Sequence, residues 1–336
     1  MLVFLMAINK TIAQFMSYCH SKQLRQKTMA SYEQTLKLFA RWLEDEKGIR
    51  RAEDVTEQIV RDYIIDLQKR GKYTAVINDR SEEVNHPSHR RDYRKAISNI
   101  TINNYLRNMK VFFGWLVDAD YITKSPMAKI RALPQERTPR EYLEDDEVKE
   151  LLRNMDRSYF SEYRDYAAIL IMLDAGTRVG ETLSATLKQL DLMEKSLYLP
   201  ADKTKGRKDR TVFFSQKTAR ELRKWLQFKD RYCDSKFLFP VKHTGYPVTV
   251  ASFETNFAHY IKRCGITKRV SPHTLRNNFA KRCLMAGMDI YTLSKILGHS
   301  SVTITEQAYL DVTDTDIKKR YSRFSPLENI YYGDKE

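Results

Sequence analysis

Residues 271–310, SPHTLRNNFAKRCLMAGMDIYTLSKILGHSSVTITEQAYL, carry His273, Arg276, His299 and Tyr309. A His and an Arg three apart share one helix face. His299 follows on a Leu-Gly-His turn, and Tyr309 comes one short helix later. Such a set suits attack on a phosphodiester. That reaction needs an in-line nucleophile, neutralisation of the transition-state charge and a proton for the leaving oxygen. The Tyr309 phenol is the candidate nucleophile, but a phenol with a pKa of about 10 attacks poorly until it is deprotonated. His273 is the candidate to accept that proton or to orient the phosphate. Arg276 and Arg178, the latter in AGTRVGE, can hold the two non-bridging oxygens without losing their charge. His299 is the candidate second hydrogen-bond donor. Lys205, on the turn ADKTKGRKD, can protonate the departing 5′ oxygen.

Each residue also has a plainer reading. With 20 tyrosines in the chain, a given Tyr is usually core or interface. Arg178 can be a helix-start ion pair with Glu181, and that carboxylate can also aim the guanidinium. His273 after Pro272 can be an N-cap-like structural residue, and His299 can satisfy a turn carbonyl. Lys203, Arg207 and Lys208 share the turn with Lys205, and Lys208 is the alternative acid. Their order along the chain favours the joint functional reading.

These side chains need a scaffold. Residues 8–21, 28–47, 55–71 and 102–117 read as four amphipathic helices. The clearest repeats Tyr32, Leu36, Phe39 and Leu43 at helical spacing. Between the last two, residues 72–98 are polar and lack an apolar period, which predicts a long loop. Its His86 and His89 could ligate a metal, but no third ligand accompanies them, so a solvated loop is the better reading. Basic and small polar residues gather near the starts of the second and fourth helices: Lys27, Thr28 and Ser31, then Asn103, Asn104, Arg107 and Lys110. Helix starts so equipped suit contacts to a DNA backbone or groove edge, and we read them so in preference to an ordinary charged face.

Residues 124–142 hold three prolines and read as an interdomain linker. Beyond it the pattern is helical with two strands, 195–200 and 210–214, joined by the turn at 201–209. Buried-helix character is strongest in DYAAILIMLDA, which Gly176 ends. The expected fold is therefore mainly α with a small β-sheet. Its divisions are an extension at 1–7, a helical DNA-binding domain at 8–123, the linker at 124–142, a catalytic α+β domain at 143–324 and a tail at 325–336.

The chain has 336 residues, enough for one large or two ordinary domains, and 42% hydrophobic residues argue against global disorder. A net charge of +15 favours a polyanionic partner, nucleic acid before membrane. The four cysteines form neither a C-x-x-C pair nor a disulfide framework, which suits a reducing cytoplasm. The apolar start MLVFLMA is too short to span a bilayer.

The ordered set Arg178, Lys205, His273-Thr-Leu-Arg276, Leu297-Gly-His299 and Tyr309 resembles the tyrosine recombinase family of phage integrases, Cre and the Xer recombinases. The resemblance covers nearly the whole chain. It implies an N-terminal core-binding (SAM-like) domain and a site-specific recombinase of the integrase or transposase type, associated with mobile elements. It further implies a 3′-phosphotyrosyl intermediate on Tyr309 that conserves the bond energy, so neither metal nor other cofactor is expected. Partners implied are double-stranded DNA with specific sites, a homo-tetramer on it passing through a Holliday junction, and accessory DNA-bending or directionality proteins. Two departures stand out. One extra residue separates Gly-His from Tyr309 relative to many Xer-like sequences, and Asn277 stands where many members carry a further His. The compact N-terminal part suggests a Xer- or Cre-like layout. Competing readings are a type IB topoisomerase, a catalytically silent DNA-binding paralogue and, more distantly, a metal-dependent nuclease.

Overall fold

The computed structural model describes residues 7–77, 86–135, 141–201, 209–299, 301–309, 318, 321 and 325–327. Residues 1–6 of the extension, Lys205 with most of its turn, and most of the tail lie outside these residues. The chain divides into two compact units, 1–137 and 138–336.

In the first unit, α1 (Ile8–Ser21), α2 (Gln26–Lys47), α3 (Glu57–Arg70) and α4 (Asn99–Asp118) close around one apolar core. Phe15, Phe39, Tyr63, Phe112 and Phe113 fill it. The helix ends follow from capping. Thr56 and Ser98 accept from the backbone N–H of Ile59 and Thr101 to start α3 and α4. Gly48, left-handed at φ 65°, ends α2. Asn108, inside α4, donates to the Ser31 carbonyl, to Ser31 Oγ and to Thr35 Oγ1, fastening α4 to α2. The stretch read as a linker contributes to this core, because Met127 and Ile130 bury there. Residues 71–98 carry a single 3-10 turn, Pro87–His89, among the described positions.

The second unit is built on α6 (Phe160–Ala175), preceded by α5 (Asp145–Arg153). Ala167, Ala168, Ile169, Ile171, Met172 and Ala175 are fully buried, so α6 is a core helix rather than an amphipathic one. Each large apolar side chain buried there stabilises the unit by roughly 1.5–3 kcal/mol. A short helix α7 (Val179–Leu183) follows Gly176. Next comes an antiparallel sheet in the order β1 (Leu190–Asp191), β2 (Ser196–Leu199), β3 (Arg210–Phe213). Leu197 pairs with Val212 and both face the core. The two-residue β1 is too short to leave an alternation in the sequence, and was not anticipated. The chain continues through α8 (Gln216–Asp230), α9 (Val250–Arg263), α10 (Pro272–Met285), α11 (Ile290–Leu297) and α12 (Val302–Tyr309). Helix α10 packs on α6, and a satellite cluster of Phe279, Ala280, Leu293 and Leu297 joins α10 to α11. The observed fold is mainly α with a small sheet, as expected.

Candidate active site

Three chain reversals build the site. The first ends α6 at Gly176, which is left-handed at φ 63°. A Cβ there would fall inside the Phe279 ring of α10, so only glycine permits this approach. The Gly176 carbonyl is left facing α10, where it accepts from Arg276 Nη1 at 2.7 Å. Two residues on, Arg178 starts α7. Its backbone N–H donates to Glu181 Oε2 at 2.9 Å and its Nη1 to Glu181 Oε1 at 2.8 Å. The carboxylate three residues on thus both caps the helix start and aims the guanidinium.

The second reversal ends α11 at Gly298, left-handed at φ 64°. The His299 N–H reaches back to the Ser294 carbonyl at 3.1 Å, a Schellman closure that fixes where the imidazole emerges. The third follows from the antiparallel pairing of β2 with β3, whose first residue is Arg210. Arg210 grips Glu181 through Nη1 at 3.2 Å and Nη2 at 2.6 Å, and its Nε donates to the Ile296 carbonyl at 3.1 Å. It thereby ties the sheet to α7 and to the end of α11. Sequence reasoning placed Arg210 in a strand but gave it no role. A strand-start arginine in so basic a chain carries no local signal of a partner 29 residues away.

Arg276 is 2% exposed. Besides Gly176 it donates through Nη2 to the Leu297 carbonyl at 2.6 Å, and the same nitrogen lies 3.1 Å from His299 Nε2. His299 Nδ1 lies 2.7 Å from Thr305 Oγ1 on α12. His273 is exposed in the first turn of α10, between the buried Pro272 and Thr274 and behind a Ser271–Thr274 cap. Burial pushes the His299 pKa down, and the charges of Arg276, Arg178, Arg210 and His273 push it further, to about 4. The imidazole is therefore neutral near pH 7. Burial raises the Glu181 pKa, but the bond from Arg210, that cation's charge and Arg178 outweigh it and hold the carboxyl below its ordinary range. Arg178, Arg276, His273 and His299, scattered in the chain, are thus brought together with Glu181, Arg210 and Thr305. The backbone of Tyr309 ends α12; its side chain and Lys205 lie outside the described residues.

Among the described residues no group of three or more His, Cys, Asp or Glu could hold a metal ion. His86 and His89 stack on each other at 5.3 Å in the first unit. The four cysteines are free thiols. No helix among the described residues is long and apolar enough to cross a membrane.

The phage integrase family model matches residues 141–316, and the phage integrase N-terminal SAM-like domain matches 12–81. The chain belongs to the phage integrase family. It is an enzyme of the tyrosine recombinase type. It is 28% identical over 327 residues to the tyrosine recombinase XerC of Leptospira interrogans, covering 95% of this chain and 94% of that one. XerC of Lacticaseibacillus casei is 25% identical over 327 residues, covering 95% and 100%. The fold of this recombinase is that of the Tn1549 transposon integrase solved in complex with transposon right end DNA. The TM-score is 0.71 at 19% identity, covering 95% of this chain and 100% of that one.

In the first unit, Lys27, Thr28, Ser31 and Arg107 line one open groove of ≈ 380 Å³ between α2 and α4. Asn104 and Lys110 are exposed on α4, and Asn104 Oδ1 accepts from Arg107 Nη2. Asn103 is committed otherwise. Its Nδ2 donates to the Leu133 carbonyl at 2.9 Å and its Oδ1 accepts from the Leu133 N–H at 2.7 Å.

Proposed function

We propose that this recombinase cuts and rejoins DNA at specific sites through a 3′-phosphotyrosyl bond to Tyr309. The observation that carries the reading is the gathering of Arg178, Arg276 and His273 around His299, a cluster of cations about a neutral imidazole. Arg178 and Arg276 neutralise the two non-bridging oxygens. His273, exposed beside them, accepts the phenolic proton or orients the phosphate. The Tyr309 oxygen bonds to phosphorus as the 5′ oxygen leaves, and Lys205 supplies that oxygen's proton. Attack by the partner strand's 5′ hydroxyl reverses the step, so no external energy source enters.

Four protomers on two sites, exchanging strands through a Holliday junction, complete the proposal. Residues 325–336 dock on a neighbour, and accessory DNA-bending or directionality proteins set the outcome. The site of action is cytoplasmic DNA. In this reading residues 8–123 bind DNA, 124–142 connect and 143–324 catalyse. Lys27, Thr28, Ser31, Asn104, Arg107 and Lys110 contact the duplex, and Asn103 shapes that surface through Leu133.

The test is a pool of nicked suicide duplexes with randomised core sites. A covalent adduct on a denaturing gel that disappears in Tyr309→Phe supports the reading, and absence of any adduct overturns it. Exchange between two selected sites separates a recombinase from a topoisomerase, which relaxes plasmids lacking them.

A further inference from the structure

His299 lies between two partners of different character. A guanidinium has donors only, so at 3.1 Å from Arg276 Nη2 the His299 Nε2 must accept. In a neutral imidazole the single ring proton then sits on Nδ1, which faces Thr305 Oγ1 at 2.7 Å. Thr305 is 0% exposed, so its hydroxyl has no water to fall back on. It lies on α12, one helical turn before Tyr309. His299 lies just past the glycine that ends α11. The Nδ1–Thr305 bond therefore joins the end of α11 to α12.

We propose that Thr305 is a positioning residue: its hydroxyl accepts the Nδ1–H that Arg276 imposes on His299 and, through that bond, registers helix α12 against the Arg276 guanidinium. The role of α12 as carrier of the nucleophile rests on the function proposed above.

The arrangement decides which nitrogen can titrate. With Nδ1–H engaged by Thr305, an added proton can go only to Nε2, on the Arg276 side. The groups that oppose this proton are Arg276 and His273 on α10, Arg178 at the start of α7 and Arg210 on β3. Glu181 lies between Arg178 and Arg210 and offsets part of their charge. A phosphodiester entering against these cations brings a negative charge. It also competes for the Arg276 Nη2 proton that Nε2 accepts in the resting chain. Nε2 then takes a proton from solvent and becomes a donor to a phosphate oxygen, while Nδ1–H stays on Thr305. The resting site thus offers an acceptor where the loaded site offers a donor, and Thr305 holds the ring in place through the change.

The experiment uses the full chain with 15N-labelled histidine, free of DNA, near pH 7.5. Long-range 1H–15N spectra read the tautomer, and the His299 signals are assigned by their loss in His299→Asn. The expected wild-type pattern is a protonated Nδ1 and a bare Nε2. Thr305→Val keeps the shape without the hydroxyl and should shift the His299 Nδ1–H signal, whereas Thr305→Ser should keep the wild-type pattern. In single-turnover cleavage of a selected nicked duplex, Thr305→Val should lose about 10–100-fold in rate at unchanged duplex affinity, as expected for loss of a partner that orients a histidine. Its acid limb should shift, and Thr305→Ser should restore most of the rate. A wild-type Nε2–H pattern overturns the proposal. So does a Thr305→Val protein that keeps both the wild-type Nδ1–H signal and the wild-type rate, or a Thr305→Ser protein as impaired as Thr305→Val. If no duplex yields an adduct, the recombination reading fails, while the DNA-free spectra still decide the bond between Thr305 and His299.

Discussion

Arg210 holds Glu181 at two points, Nη1 to Oε1 at 3.2 Å and Nη2 to Oε2 at 2.6 Å, while Arg178 shares the same Oε1 at 2.8 Å. One carboxylate, 4% exposed, therefore balances two guanidiniums from different elements. A lone buried carboxylate is costly, and so is a lone buried guanidinium, so each depends on the other. The catalytic candidate Arg178 owes its aim to this pair.

Glu181→Gln leaves Arg210 and Arg178 without their counter-charge. Breaking such a pair costs about 3 kcal/mol, to be read by urea denaturation. Cleavage should fall by about 10–100-fold while duplex affinity holds, because the positive charge remains but is misaimed. Arg210→Met should lose cleavage similarly, although it touches no reacting atom.

Arg178→Ala and Arg276→Ala should not behave alike. The Arg178 side chain is 22% exposed, so its removal should lower cleavage by about 10²–10³-fold with a fold close to native. Arg276 is buried and satisfies the Gly176 and Leu297 carbonyls and His299 Nε2. Its removal leaves them unpaired at about 1–3 kcal/mol each, so thermal unfolding should shift strongly before any kinetic effect can be read. Arg276→Lys should fall between, since one ammonium cannot span all three acceptors.

Stability should fall in mild acid. The His299 pKa is about 4 in the folded chain against an ordinary 6.5, so the unfolded chain binds the proton more tightly between those values. Stability is therefore complete above about 6.5 and drains as pH falls toward about 4. Glu181 adds a loss in the same direction at lower pH, because its folded pKa is depressed and protonation breaks its bonds to Arg210 and Arg178. Melting temperatures between pH 7.5 and 4.5 should fall less steeply in His299→Asn than in wild type. Parallel curves would remove His299 from this account.

Gly176→Ala forces a Cβ into the Phe279 ring at a left-handed position. The strain and overpacking together should cost about 2–4 kcal/mol in urea denaturation. The same shift moves the carbonyl that Arg276 uses, so cleavage should fall with stability.

Lys27→Ala and Arg107→Ala, on the groove between α2 and α4, should each weaken duplex binding for all sequences and lower the salt slope by about one. Asn103→Ala should leave the salt slope alone and destabilise the first unit, because its amide holds the main chain at Leu133. Equal salt slopes for wild type and Lys27→Ala would place the duplex elsewhere.

Much of the fold was legible because helices announce themselves locally. The apolar rows of α2 and α4, the buried run of α6 and its stop at Gly176 depend on neighbours within a turn or two. The strands β2 and β3 showed through their apolar content. The two-residue β1 left no pattern, and the apparent linker hid Met127 and Ile130 because proline-rich chain can still bury isolated side chains.

The sequence by itself determined which groups are candidates for the site and their order: Arg178, His273, Arg276, His299 and Tyr309. It also determined that Glu181, three residues past Arg178, could serve it, since that relation is local. Only the tertiary structure decided that Arg210 is the second cation on Glu181 and that Arg276 is buried against the Gly176 carbonyl. It alone set Thr305 against the far side of the His299 ring. Arg210, Arg276 and His299 find their partners through chain reversals or across helix packing. Thr305 is near His299 in sequence, yet which ring nitrogen it meets depends on Arg276 taking the other. A guanidinium can only donate and a neutral imidazole has one proton to place, so the tautomer belongs to the folded assembly.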